Sequence, residues 1–348
     1  MKKHVEEFAT VPMQWIGPMR LVGDVVAGEV SAPLATYESP LWPSTHRGAR
    51  VSMACAGIEV SVVSDLMARS ILIEAKSAAA AARAVIAISA RKTEISAVVG
   101  TTTSHGEFSD LHWQLVGNLM YLRLEMQTGD ASGHNMVTGA AEAVLSWILE
   151  QYPELAHVSV SGNYCTDKKA SAVNGILGRG KYVIAEMVVP EKVCRRMLRS
   201  TPEAIVALNI KKNLIGTSLA GGIRSANAHF ANMLLAIYLA TGQDAANIIE
   251  ASQGYSYAEV RDGDLVFSVT LPNIIVGTVG NGKGLPFVLE NLEKLGCLEK
   301  REIGANGRRL AAIIGATVLC GELSLLAAQT NPGELMKAHR KLERSNHE

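Results

Sequence analysis

Apolar and polar positions along this chain change rhythm several times. Up to about residue 70, short β-type runs such as LVGDVV (21–26) are interrupted by prolines at 12, 18, 33, 40 and 43, which predicts short strands joined by turns. Then ILIEA (71–75) reads as a strand, the alanine-rich stretch 77–90 as a helix and EISAVVG (94–100) as a strand. WQLVGNLMYLRLEM (113–126) reads as a pair of strands or one bent one, 135–150 as a helix and HVSVS (157–161) as a strand. Strand, helix, strands, helix, strand is the order of a split βαβ, ferredoxin-like module. An α+β fold is therefore expected, with a small ferredoxin-like domain at 71–158 inserted into a large domain made of 1–70 and 159–348. After Pro190 the pattern predicts helices at 191–199, 224–241, 244–252, 285–295 and 305–328, and strands at 264–270 and 273–278. The residues from about 330 on are charged and lack an apolar partner pattern, so they read as a mobile tail.

Lysine plus arginine and aspartate plus glutamate are equal at 33 each, so no global field draws the surface to nucleic acid or anionic lipid. Any anion site must be local. The five cysteines form no CxxC pair, which suits a reducing compartment, with the cytoplasm as the default. The N-terminal MKKHVEEF lacks the apolar stretch of a signal peptide. The longest apolar run, 310–321, is shorter than the roughly 20 residues that cross a bilayer. Nothing here calls for a membrane or a metal.

Two glycine-rich stretches, GILGRGKY (175–182) and GTVGNGKG (277–284), have the spacing of a phosphate loop. Tyr182 and Gly284 stand where a magnesium-holding Ser or Thr would be needed, so tight turns beside a ligand are the better account. GDASGHNM (129–136) leads into a helix whose first N–H groups could meet a phosphate, although such a segment taken alone is more often a plain helix entry. SGNYCTDKKASAVNG (161–175) sets Asp167, Lys168 and Lys169 in succession. Consecutive charges cannot share one face of a helix or strand, so they line a loop, either solvated or wrapped around an anion. Asp244 follows the apolar NAHFANMLLAIYLATGQD (227–244) and precedes another helix, where a cap and a catalytic carboxylate are compatible roles.

Together these segments resemble 3-hydroxy-3-methylglutaryl-CoA reductases. ATYESPLWPSTHRGAR (35–50), GDASGHNM, SGNYCTDKKASAVNGILGRGK, KKNLIGTSLAGG, NAHFANMLLAIYLATGQD, GTVGNGKGLP and GELSLLAA follow one another as they do in that family. The match runs from about residue 11 to 345 and looks like the soluble catalytic part of the eukaryotic and archaeal branch, without a membrane anchor.

The resemblance implies catalysis by Glu38, Lys168, Asp244 and His339. It implies substrate contacts from Arg69, Ser161, Asp167, Lys169, Lys212 and Asn232, with Ser44 and Arg47 near the coenzyme A side. Cofactor contacts would come from Thr103, Ser104, Asp130, Ser132, Gly133, His134, Asn135 and Met136. The implied reaction is the reduction of a thioester, by two NAD(P)H, to mevalonate and free coenzyme A. A homodimer or an assembly of dimers, with the active site between subunits, is implied as well. The sequence departs from many NADPH-using relatives where TTTSHG puts Ser104 in place of an arginine, removing a cation opposite the 2′-phosphate. Arg344 in the tail matches a second family arginine, so NADPH is expected over NADH. An NADH-linked enzyme of mevalonate breakdown and a non-catalytic acyl-CoA sensor are the alternatives.

Overall fold

The computed structural model of the chain describes Glu7, residues 9–334 and residue 336. Its organising element is one long strand. In chain order β1 (Met13–Val22), β2 (Gly28–Ala35), α1 (Leu41–Ala54) and β3 (Ile58–Glu74) come first. The β-branched and alternating run IEVSVVSDLMARSILIE keeps β3 extended for 17 residues. Its first half, up to Leu66, pairs with β7 (Gly180–Val189), and from Met67 its pairing passes to β5 (Leu119–Gln127).

The two halves therefore belong to two sheets. The larger has the order β2-β1-β3-β7-β9-β8, with β8 at Tyr255–Arg261 and β9 at Asp264–Ile274. The smaller has the order β4-β5-β3-β6, with β4 at Glu107–Val116 and β6 at Ala156–Ser159, which is the ferredoxin-like order. Helices α2 (Ala78–Ser89), α3 (Lys92–Gly100) and α4 (His134–Gln151) cover the small sheet, and Ile71, Val85, Ile95, Leu122 and Val144 form part of its core. A separate core lies under the large sheet.

That second core is built around a helix. Further helices include α5 (Ala172–Leu177), α6 (Pro202–Leu208), α7 (Phe230–Ala240), α8 (Ile248–Ala251), α9 (Pro286–Lys294) and α10 (Ala305–Gln329). The 25 residues of α10 are long and apolar enough to cross a membrane, but 94% of its most apolar window is buried within the fold. It is longer than the apolar run of the sequence because Thr317, Glu322 and Ser324 are buried along with its leucines. Helix α1 packs directly on it: a Cβ on Gly48 would lie 2.1 Å from the Cys320 carbonyl oxygen, so only glycine permits this approach.

Several elements differ from the sequence-based expectation. EISAVVG is helical, because Ile95 and Val99 are four apart and both buried on one helix face, and this outweighs their β-branched preference. Residues 41–54 are a helix rather than turns, since Pro40 is its N-cap and Pro43 falls in the first turn, where a missing N–H costs nothing. The helix expected from 224 starts at Phe230, because Arg224 has a positive φ of +50° and Ala226 bridges to Tyr255, and neither conformation continues a helix. The two strands expected at 264–278 are one, β9, whose pairing with β7 shifts register around Pro272.

Candidate active site

The loop between β6 and α5 carries Asp167, Lys168 and Lys169 as the sequence predicts, in a backbone that is far from regular. Asn163, Thr166 and Lys168 all have positive φ, with Lys168 at +54°. Non-glycine residues rarely adopt this left-handed conformation and must be held there. Asn174 donates to the Thr166 carbonyl at 2.9 Å, the Lys168 N–H donates to Glu250 Oε1 at 3.1 Å, and Gln253 bonds both the N–H and the carbonyl of Ser171. The buried Arg179 bridges Asp167 at 3.0 Å and Glu250 at 2.9 Å. Burial pushes the Glu250 carboxyl up, against the opposing pull of Arg179.

So held, Lys168 meets Asp244: Nζ lies 2.6 Å from Oδ2. The bond to Asp244 raises the Lys168 ammonium above the ordinary lysine value. Burial pushes the Asp244 carboxyl up, but hydrogen bonds from Lys168 and the Ala246 N–H outweigh it and bring the group below the usual carboxylate value. Asp244 is thus a cap for the turn Ala245–Asn247 and the lysine's partner at once. Arg69, on β3 just past the point where pairing changes sheets, lies 3.6 Å from Asp167.

These groups line one side of a cleft of about 540 Å³. The other side is the entry to α4, where Gly133 takes a left-handed conformation, together with the glycine-rich loop at 277–284. The two stretches are joined by a bond from the Thr278 N–H to the Asp130 carbonyl. Ser132, His134, Asn135 and Met136 line the cleft. The Asp130 carboxylate turns away and accepts the Gly304 and Gly307 N–H groups, capping α10. Burial and the nearby Arg179 hold the His134 imidazole below its ordinary value. Thr103 and Ser104 sit on the loop after α3, where Thr103 accepts the His105 N–H and Ser104 bonds His105 Nδ1.

Sequence reasoning assigned no role to Lys283 on the same cleft wall. It is 6% exposed, donates to the Gly242 carbonyl at 2.5 Å, and makes no ion pair among the described residues. Burial lowers its ammonium to about 8. Arg179, Glu250 and Gln253 were missed too. Arg179 lies inside a quoted motif, but only the folded chain brings it against Glu250.

Other expected residues form a second group. Glu38, at the β2–α1 turn, accepts a bond from Asn232 at 2.8 Å. Among the described residues it makes no hydrogen bond or ion pair with Lys168 or Asp244. Near the start of α7 the fully buried Glu322 accepts the N–H groups of Ala228 and His229, the His229 ring and the Ser256 hydroxyl. Lys212 bonds Asn213, and burial lowers its ammonium. Ser44 and Arg47 both bond the Ser324 hydroxyl on α10. Arg47 also borders a cleft of about 930 Å³ whose walls include Trp15, Trp42, His46, Arg50, Arg196 and Arg199. Ser161 donates its N–H to Ser159, and Lys169 bonds the Asp167 carbonyl. His339 and Arg344 lie outside the described residues.

A family model described as hydroxymethylglutaryl-coenzyme A reductase matches residues 1–344. The chain belongs to this family. It is 44% identical to the 3-hydroxy-3-methylglutaryl-coenzyme A reductase of Aeropyrum pernix over 336 residues, covering 96% of this chain and 79% of that one. The enzyme of the same name from Pyrococcus horikoshii is 42% identical over 337 residues, covering 96% and 81%. In fold the chain is similar to a class II 3-hydroxy-3-methylglutaryl-CoA reductase from Streptococcus pneumoniae solved bound to NADPH in open conformations. That likeness has a TM-score of 0.75 at 20% identity and covers 95% of this chain and 88% of that one. Members of the reductase family are NAD(P)H-dependent oxidoreductases, and among the described residues no group of His, Cys, Asp or Glu is arranged to hold a metal.

The Lys168–Asp244 pair has a checkable consequence. Its contribution fades as pH falls through the depressed Asp244 value and again as pH rises through the elevated Lys168 value. In Asp244→Asn the main cause of the Lys168 shift is gone, so its amine should titrate lower and react faster with an amine-directed acylating reagent at mildly alkaline pH. Site-resolved mass spectrometry reads this; an unchanged Lys168 titration would refute the pairing.

Proposed function

We propose that the chain reduces (S)-3-hydroxy-3-methylglutaryl-CoA to mevalonate and free coenzyme A, in the mevalonate pathway. The observation that carries this reading is an ammonium, Lys168, fixed against a carboxylate on the wall of a cleft that the entry to α4 and Lys283 also line. NAD(P)H supplies a hydride for each of the two reduction steps. The cleft fits such a cofactor: α4 has 18 residues and presents its first N–H groups beside small residues, and Lys283 is a buried cation that makes no ion pair among the described residues.

When the thioester carbonyl becomes an alkoxide, Lys168 stabilises the negative charge from a partly desolvated position, and Asp244 keeps the lysine charged until then. The thiohemiacetal releases coenzyme A thiolate, and we assign its protonation to His339, as the family resemblance implies. Glu38 then joins Lys168 and Asp244 in handling the proton that goes to the aldehyde oxygen in the second reduction. Arg69, Asp167, Lys169, Ser161, Lys212 and Asn232 are our choice for holding the acyl part. The basic cleft around Arg47, Arg50, Arg196 and Arg199, with its two tryptophans, suits the phosphates and adenine of coenzyme A.

We infer a homodimer or an assembly of dimers that brings the Glu38 group of one copy to the Lys168 group of the other. The reason is an apolar face near the catalytic loop: Ile215, Leu219 and Ile223 are 59%, 88% and 50% exposed, and Ile223 accepts a bond from the loop-clamping Gln253. The five described cysteines are all buried and unpaired, which fits the cytoplasm, where we place the protein. NADPH is preferred over NADH, with the Ser104 hydroxyl and Arg344 meeting the 2′-phosphate.

Three measurements test this. Adding the acyl-CoA should oxidise two NAD(P)H per mevalonate formed, and Lys168→Ala should lower kcat by about 10²-fold or more while still binding substrate. A sensor protein would instead turn nothing over. The ratio of kcat/KM should favour NADPH; a tenfold preference for NADH would reverse the cofactor assignment. Mass photometry should find dimers or their multiples, with Leu219→Asp giving inactive monomers, and a fully active monomer would defeat the shared-site reading.

A further inference from the structure

The resemblance assigns no role to the two most deeply buried charges beside the cleft, Arg179 and Glu250, whose side chains are 1% and 0% exposed. Taking two charges out of water costs several kcal/mol, and an apolar pair of similar volume would avoid that cost. The pair must therefore supply something apolar side chains cannot. Its contacts say what. Glu250 Oε1 accepts the Lys168 N–H as well as Arg179. Arg179 also bridges to Asp167 and donates through Nε to the Ala68 carbonyl, next to Arg69 on β3.

Lys168 needs this support because its left-handed backbone costs about 1–2 kcal/mol for a non-glycine residue. Its amide must be held in that state for the ammonium to point at Asp244. Glu250 belongs to α8, which directly continues the turn that Asp244 caps. One short rigid element therefore grips Lys168 at both ends, the main chain through Glu250 and the ammonium through Asp244.

We propose that Arg179 and Glu250 are the positioning pair for Lys168, setting the loop backbone so that the amine stays in register with Asp244. This rests on Lys168 being the catalytic amine. Neither residue touches the reacting atoms, so their effect should appear in kcat rather than in cofactor affinity. A displacement of about 1 Å in a catalytic group can cost on the order of 10²-fold in rate.

The test uses the full chain with NADPH and the acyl-CoA, comparing Glu250→Ala, Glu250→Gln and Arg179→Lys with the unmodified protein. Glu250→Ala should lower kcat by roughly 10²-fold. Glu250→Gln should recover part of it, because its carbonyl oxygen can still accept the Lys168 N–H. The Kd for NADPH, read by quenching of protein fluorescence, should stay within about twofold. The alkaline limb of the kcat profile should move to lower pH, since an ammonium no longer held against Asp244 gives up its proton earlier. Wild-type kcat and pH profile in both Glu250 variants overturn the proposal. So does a kcat loss that only tracks the folded fraction and leaves the pH profile in place. If Glu250→Ala does not fold, Glu250→Gln and Arg179→Lys decide it by the same pH criterion. Wild-type turnover in Lys168→Ala would bring down the catalytic reading itself, whereas an inactive Lys168→Ala beside unaffected Glu250 variants overturns positioning alone.

Discussion

Strand β3 is the constraint from which the geometry follows. A strand that pairs with one sheet up to Leu66 and with another from Met67 leaves the two sheets no freedom to slide along each other. Arg69 stands just beyond that change of partners, and the catalytic loop returns from β6, which pairs with the far end of the same strand. The cleft forms where the sheets diverge. One wall carries Arg69 of β3 and the loop that follows β6, the other the entry to α4 with the glycine-rich loop that follows β9. A break in β3 would separate the cofactor-side residues from Lys168 without touching either group.

Within that frame the loop that carries Lys168 is held by charge and hydrogen bonding, with Arg179, Glu250, Asn174 and Gln253 as its partners. The reason is conformational. Side chains buried by the hydrophobic effect fix a surface, not a φ angle, and the three non-glycine residues of this loop with positive φ, Asn163, Thr166 and Lys168, need directional partners. Asn174, Gln253, Glu250 and Arg179 provide them. The charges nearly balance: Arg69, Arg179 and Lys168 face Asp167, Asp244 and Glu250. Among the described residues Lys283 is then in excess, and a cleft with one surplus cation is suited to an anionic ligand.

Much of this was legible in the sequence. The order of elements around the ferredoxin-like sheet followed from periodicity, and the run Asp167–Lys168–Lys169 announced a loop because no regular element can put three consecutive charges on one face. What failed did so for identifiable reasons. In 94–100 the β-branched residues carried the signal, while the burial of Ile95 and Val99 against neighbouring helices decided the outcome. In 41–54 prolines concealed a helix whose start they help to set. Glu250 could not be found at all: a glutamate in an apolar helical stretch reads as a solvent-facing residue, and its partners lie 71 and 82 positions away in the chain.

The same distance in sequence explains why the site falls into two groups within one chain. Lys168, Asp244 and their supports hang from the sheet junction, whereas Glu38, Asn232, His229 and Glu322 are anchored on α10 and the start of α7. The carboxylates of the second group have donors of their own: Glu38 has the Asn232 amide, and Glu322 has four donors. A carboxylate already solvated in this way can approach a second charged group only if the new contacts exclude water and bury apolar surface at the same time. The exposed isoleucines and leucine near Gln253 supply that apolar surface beside the loop. The proposed association of two copies would supply a dry boundary between Glu38 and Lys168.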